Sequence, residues 1–433
     1  MNSGHPHKFL RRNFWAHCLE GGFYMGGMTF ISVELVLPSF VDSLGGSSSL
    51  VALMPVLLPA AFSLFGLFVA PLVERLHRLK PFVVTFGALQ RLPYLVAALL
   101  IFWKPSARST LLPIVVLTPV VSGLVGGIGV NAWMEMVTRM IPEHLRASGW
   151  GVRYVLQGII GLGAGLAIHW ILSCYPDGDA RGYAWLHLIC FGFLLLSFIS
   201  QAVMKEAPDP HPIKPPRPSY KMYLCELPHL LTSQPHFMRL IMARFTGLGY
   251  MMLVARMSIH ALQTSGGNAA DKGHFVVASM IGSLLGSAFA SIQGNRKGGR
   301  QTMMLARTMC LALCCALPFL QSFAAFLIAF FVLGFGLFVD RVGDLTFTAE
   351  LCPVKRRPTY LALLSFCQAI ALLVAAWFSG MVFQITQSFP AVVALSGLFA
   401  TVSLLILRTI PEVRGQGPQG HASPVKGENN PMV

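Results

Sequence analysis

The chain has 433 residues, 55% of them hydrophobic and only 11% charged, and its formal net charge is +15. Soluble domains carry about 25% charged residues, so composition excludes a wholly water-exposed fold of this size and points to a bilayer as the solvent. The positive charge would suit nucleic acid in a soluble protein, but here it sits between long apolar runs, and a nucleic-acid role is excluded with it.

A helix that crosses a bilayer needs about 20 apolar residues. About twelve such segments follow one another, near 14–40, 49–73, 80–103, 110–140, 148–174, 183–204, 236–262, 272–293, 300–320, 322–350, 357–384 and 388–410. They are numbered here as spans one to twelve. The first run is longer than a signal-peptide core and lacks a small-residue cleavage site, so it reads as a span. It carries Glu20, Phe23, Tyr24 and Glu34. Spans two and three are joined by "VERLHRLK", with Glu74, Arg75 and Arg78. Span four holds Asn131, Trp133 and Glu135, and "IPEHLRASGWGVRYVLQG" leads through Arg146 into span five.

After span six comes "EAPDPHPIKPPR", a polar, proline-rich linker. The following "SYKMYLCELPHLLTSQPHF" reads as a short interfacial helix with a kink at Pro228. Span seven carries Arg244, Tyr250, Arg256 and His260. "GNRKGGR", with Asn295, Arg296 and Arg300, joins spans eight and nine. Span ten ends in "LGFGLFVDRVGDLTF", which sets Asp340, Arg341 and Asp344 in an apolar run. "CPVKRRPTYLALLSFCQA" then leads through Arg357 into span eleven. From Pro411 onward large apolar residues are few, and a disordered tail is expected. The expected domains are therefore 1–204, a linker at 205–235, 236–410 and a tail at 411–433. The nine cysteines form no CxxC or Cys/His cluster and read as reduced, packed thiols.

Basic residues crowd onto alternate gaps, from Lys8, Arg11 and Arg12 through Arg75, Arg78 and Lys80 to Lys355, Arg356 and Arg357. The other gaps hold Lys104, Arg108, Arg181 and Lys272. That asymmetry predicts both termini in the cytoplasm of a multi-pass protein of the cell (inner or plasma) membrane. The halves also echo one another. An offset of 211 residues superimposes Pro142 on Pro353, Arg146 on Arg357 and Gln157 on Gln368. Six spans per half with an internal repeat is an established carrier architecture.

These features resemble the major facilitator superfamily, over roughly residues 13–410. The family's loop between spans two and three runs Gly-x-x-x-Asp-Arg-x-Gly-Arg-Arg/Lys. Ala70, Glu74, Arg75, His77, Arg78 and Leu79 stand at its places, so several positions depart from the pattern. The second-half copy offers Asn295, Arg296, Gly298 and Arg300, with one extra residue before the last arginine. The Pro-x-x-x-Arg pattern before spans five and eleven is also typical. The glycine–proline signature of proton antiporters in span five is missing from "GIIGLGAGLA", as is the arginine–glycine motif of drug antiporters in span four. The resemblance implies an all-α membrane protein of two pseudo-symmetric six-helix bundles, acting as a monomer in the lipid bilayer without a cofactor or enzymatic activity.

In this family spans one, four, seven and ten line the central cavity. The resemblance therefore makes Glu20, Tyr24, Asn131, Glu135, Arg244, Arg256, Asp340 and Asp344 the candidates for binding a small-molecule substrate or coupling ion. Intramembrane charges are costly, about 2.5–3.5 kcal/mol at a helix centre, and so face protein or water. Arg341 lies three residues before Asp344 and is expected to pair with it, leaving Asp340 for Arg244, for a substrate cation or for a proton. A lock between spans ten and eleven is the plainer alternative. Glu34 and Arg256 are expected to form an outer gate, whereas Arg91, Arg153, His169 and Arg307 read as isolated or near span ends. Glu74, Arg75, Arg78, Arg146, Asn295, Arg296, Arg300 and Arg357 are the gating-loop candidates, with Glu74 expected at the N-terminus of span eleven, where a carboxylate is favourable. Glycine pairs at 22/26, 123/127, 161/165 and 282/286 predict close helix packing. The function expected is alternating-access transport of a small polar organic solute, either by symport with H⁺ or another ion or without coupling. A lipid-moving or assembly role on the same fold is the alternative.

Overall fold

The computed structural model describes residues 9–73, 76–206, 235–351 and 357–411. In hydrocarbon, backbone N–H and C=O groups must be satisfied within their own segment, which makes a helix of each isolated apolar run. Twelve helical units are long and apolar enough to cross a membrane. Span one is Leu10–Met28, a 3₁₀ turn at Thr29–Ile31 and a helix at Val36–Ser43. Spans two to six are Ser48–Val73, Lys80–Trp103, Arg108–Met140, Glu143–Ser173 and Ala180–Val203. Span seven is Pro235–Thr246 followed by Gly249–Ser265. Spans eight to twelve are Lys272–Lys297, Gly299–Ala316, Phe323–Leu351, Arg357–Thr386 and Phe389–Arg408. An even number of crossings puts Leu10 and Arg408 on the same face, called here the basic face; the opposite one is the distal face.

The first six spans form one bundle, in which span one packs on spans five and six, and span four on spans two and three. The last six form another, in which span nine packs on spans ten and twelve. The bundles meet along spans two and eleven and along spans five and eight. The glycine pairs sit at helix crossings. Gly22 and Gly26 admit Leu156 and Ile160 of span five, and Gly123 and Gly127 lie on span two. Gly161 and Gly165 lie on span eight, and Gly282 and Gly286 on the backbone of span ten. A side chain at any of these glycines would collide with its neighbour.

Spans one and seven are interrupted, whereas the sequence had both continuous. In span one, Ser32 leaves helical geometry at φ −24°, ψ 111°. Its carbonyl accepts from the N–H groups of Leu35, Val36 and Leu37 at 3.3, 2.9 and 3.0 Å. In span seven the helix stops at Thr246 and restarts at Gly249. Gly247 sits against the Arg307 side chain, where no Cβ would fit. Such breaks are tolerated at membrane depth where protein or a cavity surrounds them.

On the basic face, Glu206 accepts from the backbone N–H groups of Leu79 and Lys80 at 2.7 and 3.0 Å. A carboxylate thus meets the positive end of span three. Residues 207–234 and 412–433, which hold the expected interfacial helix and tail, lie outside the described residues.

Candidate functional site

The first bundle encloses a cavity of about 240 Å³, lined only by residues of spans one to six. Its charged wall is built on Glu20. One carboxylate oxygen accepts from Arg153 Nη1 at 2.7 Å, and the other stands 3.5 Å from Arg91 Nη2. All three residues are buried, with Glu20 at 5% exposure, Arg91 at 3% and Arg153 at 4%. Arg91 is held rigidly. It donates to the Gly87 and Leu194 carbonyls at 2.7 and 3.1 Å and to Ser197 Oγ at 2.8 Å. Arg153 donates to the His17 carbonyl at 3.1 Å and also meets His17 Nδ1 at 3.1 Å. A guanidinium only donates, so that ring nitrogen is the acceptor. The Arg153 guanidinium carbon lies 5.0 Å from the ring centre of Trp133 and 4.8 Å from that of Trp150, a cation packed against an edge-to-face pair of aromatic rings. Gly21 makes room for it.

One carboxylate against two guanidiniums leaves an excess positive charge beside the cavity. Arg153 Nε and Trp133 Nε1 are shielded from solvent and have no hydrogen-bond partner; Arg153 Nε packs against Gly21. Tyr24 adds a hydroxyl that accepts from Gln90 Nε2 at 2.7 Å. The cavity therefore combines apolar walls with a tyrosine hydroxyl and a charged group of net positive charge, a composition that suits a small solute bearing an anionic group.

The second bundle pairs two arginines with the two aspartates of span ten. Arg307, 3% exposed, meets Asp340 at 2.9 Å and donates to Ser403 Oγ at 3.1 Å. Arg244 donates to Asp344. Tyr250 donates to the Ala306 carbonyl at 2.8 Å.

The expected pairings within span ten are therefore corrected. Asp344 takes Arg244 rather than Arg341, and Asp340 takes Arg307 rather than Arg244 or nothing. The reason is tertiary. Helical spacing leaves Asp344 within reach of Arg341, about 60° round the helix, but Arg244 of span seven and Arg307 of span nine are packed against the two aspartates and take them. Arg341 stacks 6.0 Å from the Phe338 ring centre and lies within electrostatic reach of Glu34 in the other bundle. Arg256 approaches Asp42 at 3.9 Å and lies over the Phe383 ring at 4.0 Å. The expected Glu34–Arg256 gate is thus replaced by two different contacts. Both cross between the bundles.

Of the eight cavity candidates, Glu20 and Tyr24 line the first-bundle cavity. Asn131 instead donates to the Gly66 carbonyl at 2.6 Å, tying span four to span two. Glu135, itself exposed, pairs with the largely buried Arg139 one turn away at 2.9 Å. Arg244, Arg256, Asp340 and Asp344 belong to the contacts above. Arg91, Arg153 and Arg307, read from sequence as isolated, are the central cations. The signal was available, since an arginine well inside an apolar segment demands a buried partner.

Among the gating candidates, Glu74 and Arg75 lie outside the described residues, as do the side chains of Arg146, Asn295 and Arg357. Arg78 and Arg296 are exposed. Arg300 donates to the Ile410 carbonyl at 2.5 Å.

The sequence model of the Major Facilitator Superfamily matches residues 21–339 and, again, residues 239–428. The fold is similar to that of a D-xylose–proton symporter, at a TM-score of 0.71 and 14% identity over 94% of this chain and 100% of that one. It is also similar to a mutant form of the nucleoside transporter NupG, at 0.67 and 11% identity over 92% and 100%. A third similar structure is a bacterial homologue of the human lysosomal transporter Spinster, captured inward-facing and unoccupied, at 0.64 and 15% identity over 93% and 98%. No curated protein matches the sequence.

Proposed function

The chain belongs to the Major Facilitator Superfamily, and from that premise we propose that it is a secondary carrier for a small organic anion or zwitterion. In this reading the two bundles rock about the membrane midplane, so that the solute meets one side and then the other. The observation that carries the solute class is the net positive charge of the buried Arg91–Glu20–Arg153 group, all three of whose residues line the cavity. An anionic group on the solute would balance that charge.

The basic face is the cytoplasmic one by the charge asymmetry of the gaps, in the inner or plasma membrane of the cell. Contacts across the distal face then describe a carrier shut towards the outside. Asp42 to Arg256, Tyr183 to Lys272 at 2.9 Å and Asp177 to Ala269 at 3.1 Å all join one bundle to the other there. Coupling runs through H⁺ or another ion, with the intramembrane carboxylates as its acceptors.

Proteoliposomes holding the purified protein test the reading, with a panel of anionic, zwitterionic and neutral solutes and with or without a pH gradient. Uptake of an anion or zwitterion that Arg153→Gln abolishes is the expected result. Transport of neutral solutes alone, or of phospholipid in place of any solute, would replace the reading with a sugar-like or lipid-moving one.

A further inference from the structure

At the distal face the bundles touch through spans five and eight. Gly165 and Gly273 mark the point of closest approach. A Cβ on Gly273 would overlap the Gly165 carbonyl and the backbone of His169. The crossing brings together three side chains that the transport reading does not use. His169 stands one turn beyond Gly165 on span five; Asp271 and His274 flank Gly273 at the start of span eight. Each offers one ligand atom, and the three atoms lie within 4.8 Å of one another. This is the one such group among the described residues.

The surroundings fix two of the three. His169 Nδ1 meets the Ala270 carbonyl at 3.1 Å. A carbonyl only accepts, so that nitrogen carries the proton and Nε2 keeps a free lone pair, the arrangement found in metal-bound imidazoles. Asp271 gives one oxygen to the backbone N–H of Asn268 at 2.9 Å, while the Asn268 side chain accepts from the N–H groups of Ala270 and Asp271. Its other oxygen stands 3.5 Å from His274 Nδ1. That nitrogen is shielded from solvent and has no hydrogen-bond partner. The neighbouring ammonium of Lys272 is turned to the Tyr183 hydroxyl at 2.9 Å and does not compete.

We propose that His169, Asp271 and His274 form a site for a divalent transition-metal ion that joins the two bundles across the distal face. Two imidazoles and one carboxylate suit Zn²⁺ and its neighbours rather than Ca²⁺ or Mg²⁺, which take all-oxygen shells. Tetrahedral bonds of about 2.0–2.1 Å bring ligand atoms to roughly 3.4 Å apart, so an ion draws the widest pair in by about 1.4 Å. His274, with 41% of its side chain exposed, has the freedom to make that move and leaves the ion a path from solvent. Because the ligands come from both bundles, the site is complete only while the distal face is closed. Bound metal therefore holds that face shut. This consequence rests on the alternating-access reading; the binding itself does not.

The test uses purified full-length protein carrying Cys174→Ser, which removes an exposed thiol from the same face. Equilibrium dialysis against Zn²⁺ is expected to give one ion per chain, with His169→Gln and His274→Gln each weakening binding at least about tenfold. Undiminished binding in both variants would overturn the site. Hydrogen exchange is read at a distance, at the distal ends of spans two and eleven where Ser49 meets Gly380. Slowing there by Zn²⁺, in the parent and not in His169→Gln, supports the clamp. Histidine-dependent binding that leaves exchange at this remote pair unchanged keeps the site but overturns the clamp; the alternating-access reading is judged separately, by solute uptake in metal-free proteoliposomes.

Discussion

Each bundle buries an arginine on its third helix and ties it to a serine on its sixth, Arg91 to Ser197 at 2.8 Å and Arg307 to Ser403 at 3.1 Å. From that shared skeleton the halves diverge. Arg307 takes its carboxylate from span ten, Arg244 takes another from the same helix, and each charge has its own partner. Arg91 reaches Glu20 of span one at the longer distance of 3.5 Å, because Arg153 has already taken the other oxygen at 2.7 Å. In the second half these two arginines are matched one to one by the aspartates of span ten. In the first, one carboxylate serves two arginines beside a cavity. The same structural pair thus stands alone in one half, and in the other is joined by one extra arginine at the place proposed for a solute.

That contrast breaks most readily at Arg307. Arg307→Gln strands Asp340 inside the second bundle and is expected to destabilise the protein by about 3–5 kcal/mol. Adding Asp340→Asn should return most of the loss in a detergent melting curve. Next in size is Asp344→Asn. It leaves Arg244 without its carboxylate at a site that is 13% and 16% exposed, for a loss of about 1.5–3 kcal/mol. Arg244→Gln should relieve that loss and Arg341→Gln should not, which separates the observed pair from the one helix spacing suggests.

Arg153→Gln should have a smaller effect on stability, about 1–1.5 kcal/mol, because Glu20 keeps Arg91. Its effect on solute binding should be large, and Arg153→Lys should share it, since an ammonium lacks the guanidinium's planar fork and stacking face. If Arg153→Gln melts as badly as Arg307→Gln, the two halves are equivalent and the contrast is lost. The smallest change is Glu206→Gln on the basic face. It weakens the helix-end contact of span three by about 0.3–1 kcal/mol and should leave solute binding unaltered.

The spans, their pairing into repeats and the packing glycines were legible in the sequence, because each depends on a local pattern: an apolar run, a basic gap, small residues four apart. The breaks at Ser32 and at Gly247–Leu248 were not. Their causes are tertiary, such as the Arg307 side chain pressed on Gly247. Ion pairing failed for a related reason. Sequence separation gives the spacing along span ten but not which side chains neighbouring spans bring to it, and Arg244 of span seven takes the aspartate that spacing alone assigns to Arg341. Arg91, Arg153 and Arg307 read from sequence as isolated or near span ends, because their partners lie on other spans far along the chain. The residues proposed as metal ligands could not be grouped from sequence, because about a hundred positions separate His169 from Asp271 and His274.

The most direct test of the central claim is a ligand-induced melting shift, measured on the purified carrier with a graded panel of small organic anions, zwitterions and neutral solutes. The account predicts that at least one anion or zwitterion raises the melting temperature of the wild type in a saturable way. That shift should vanish in Arg153→Gln and persist in Asp344→Asn. Equal shifts in wild type and Arg153→Gln, or stabilisation by neutral solutes alone, would contradict it.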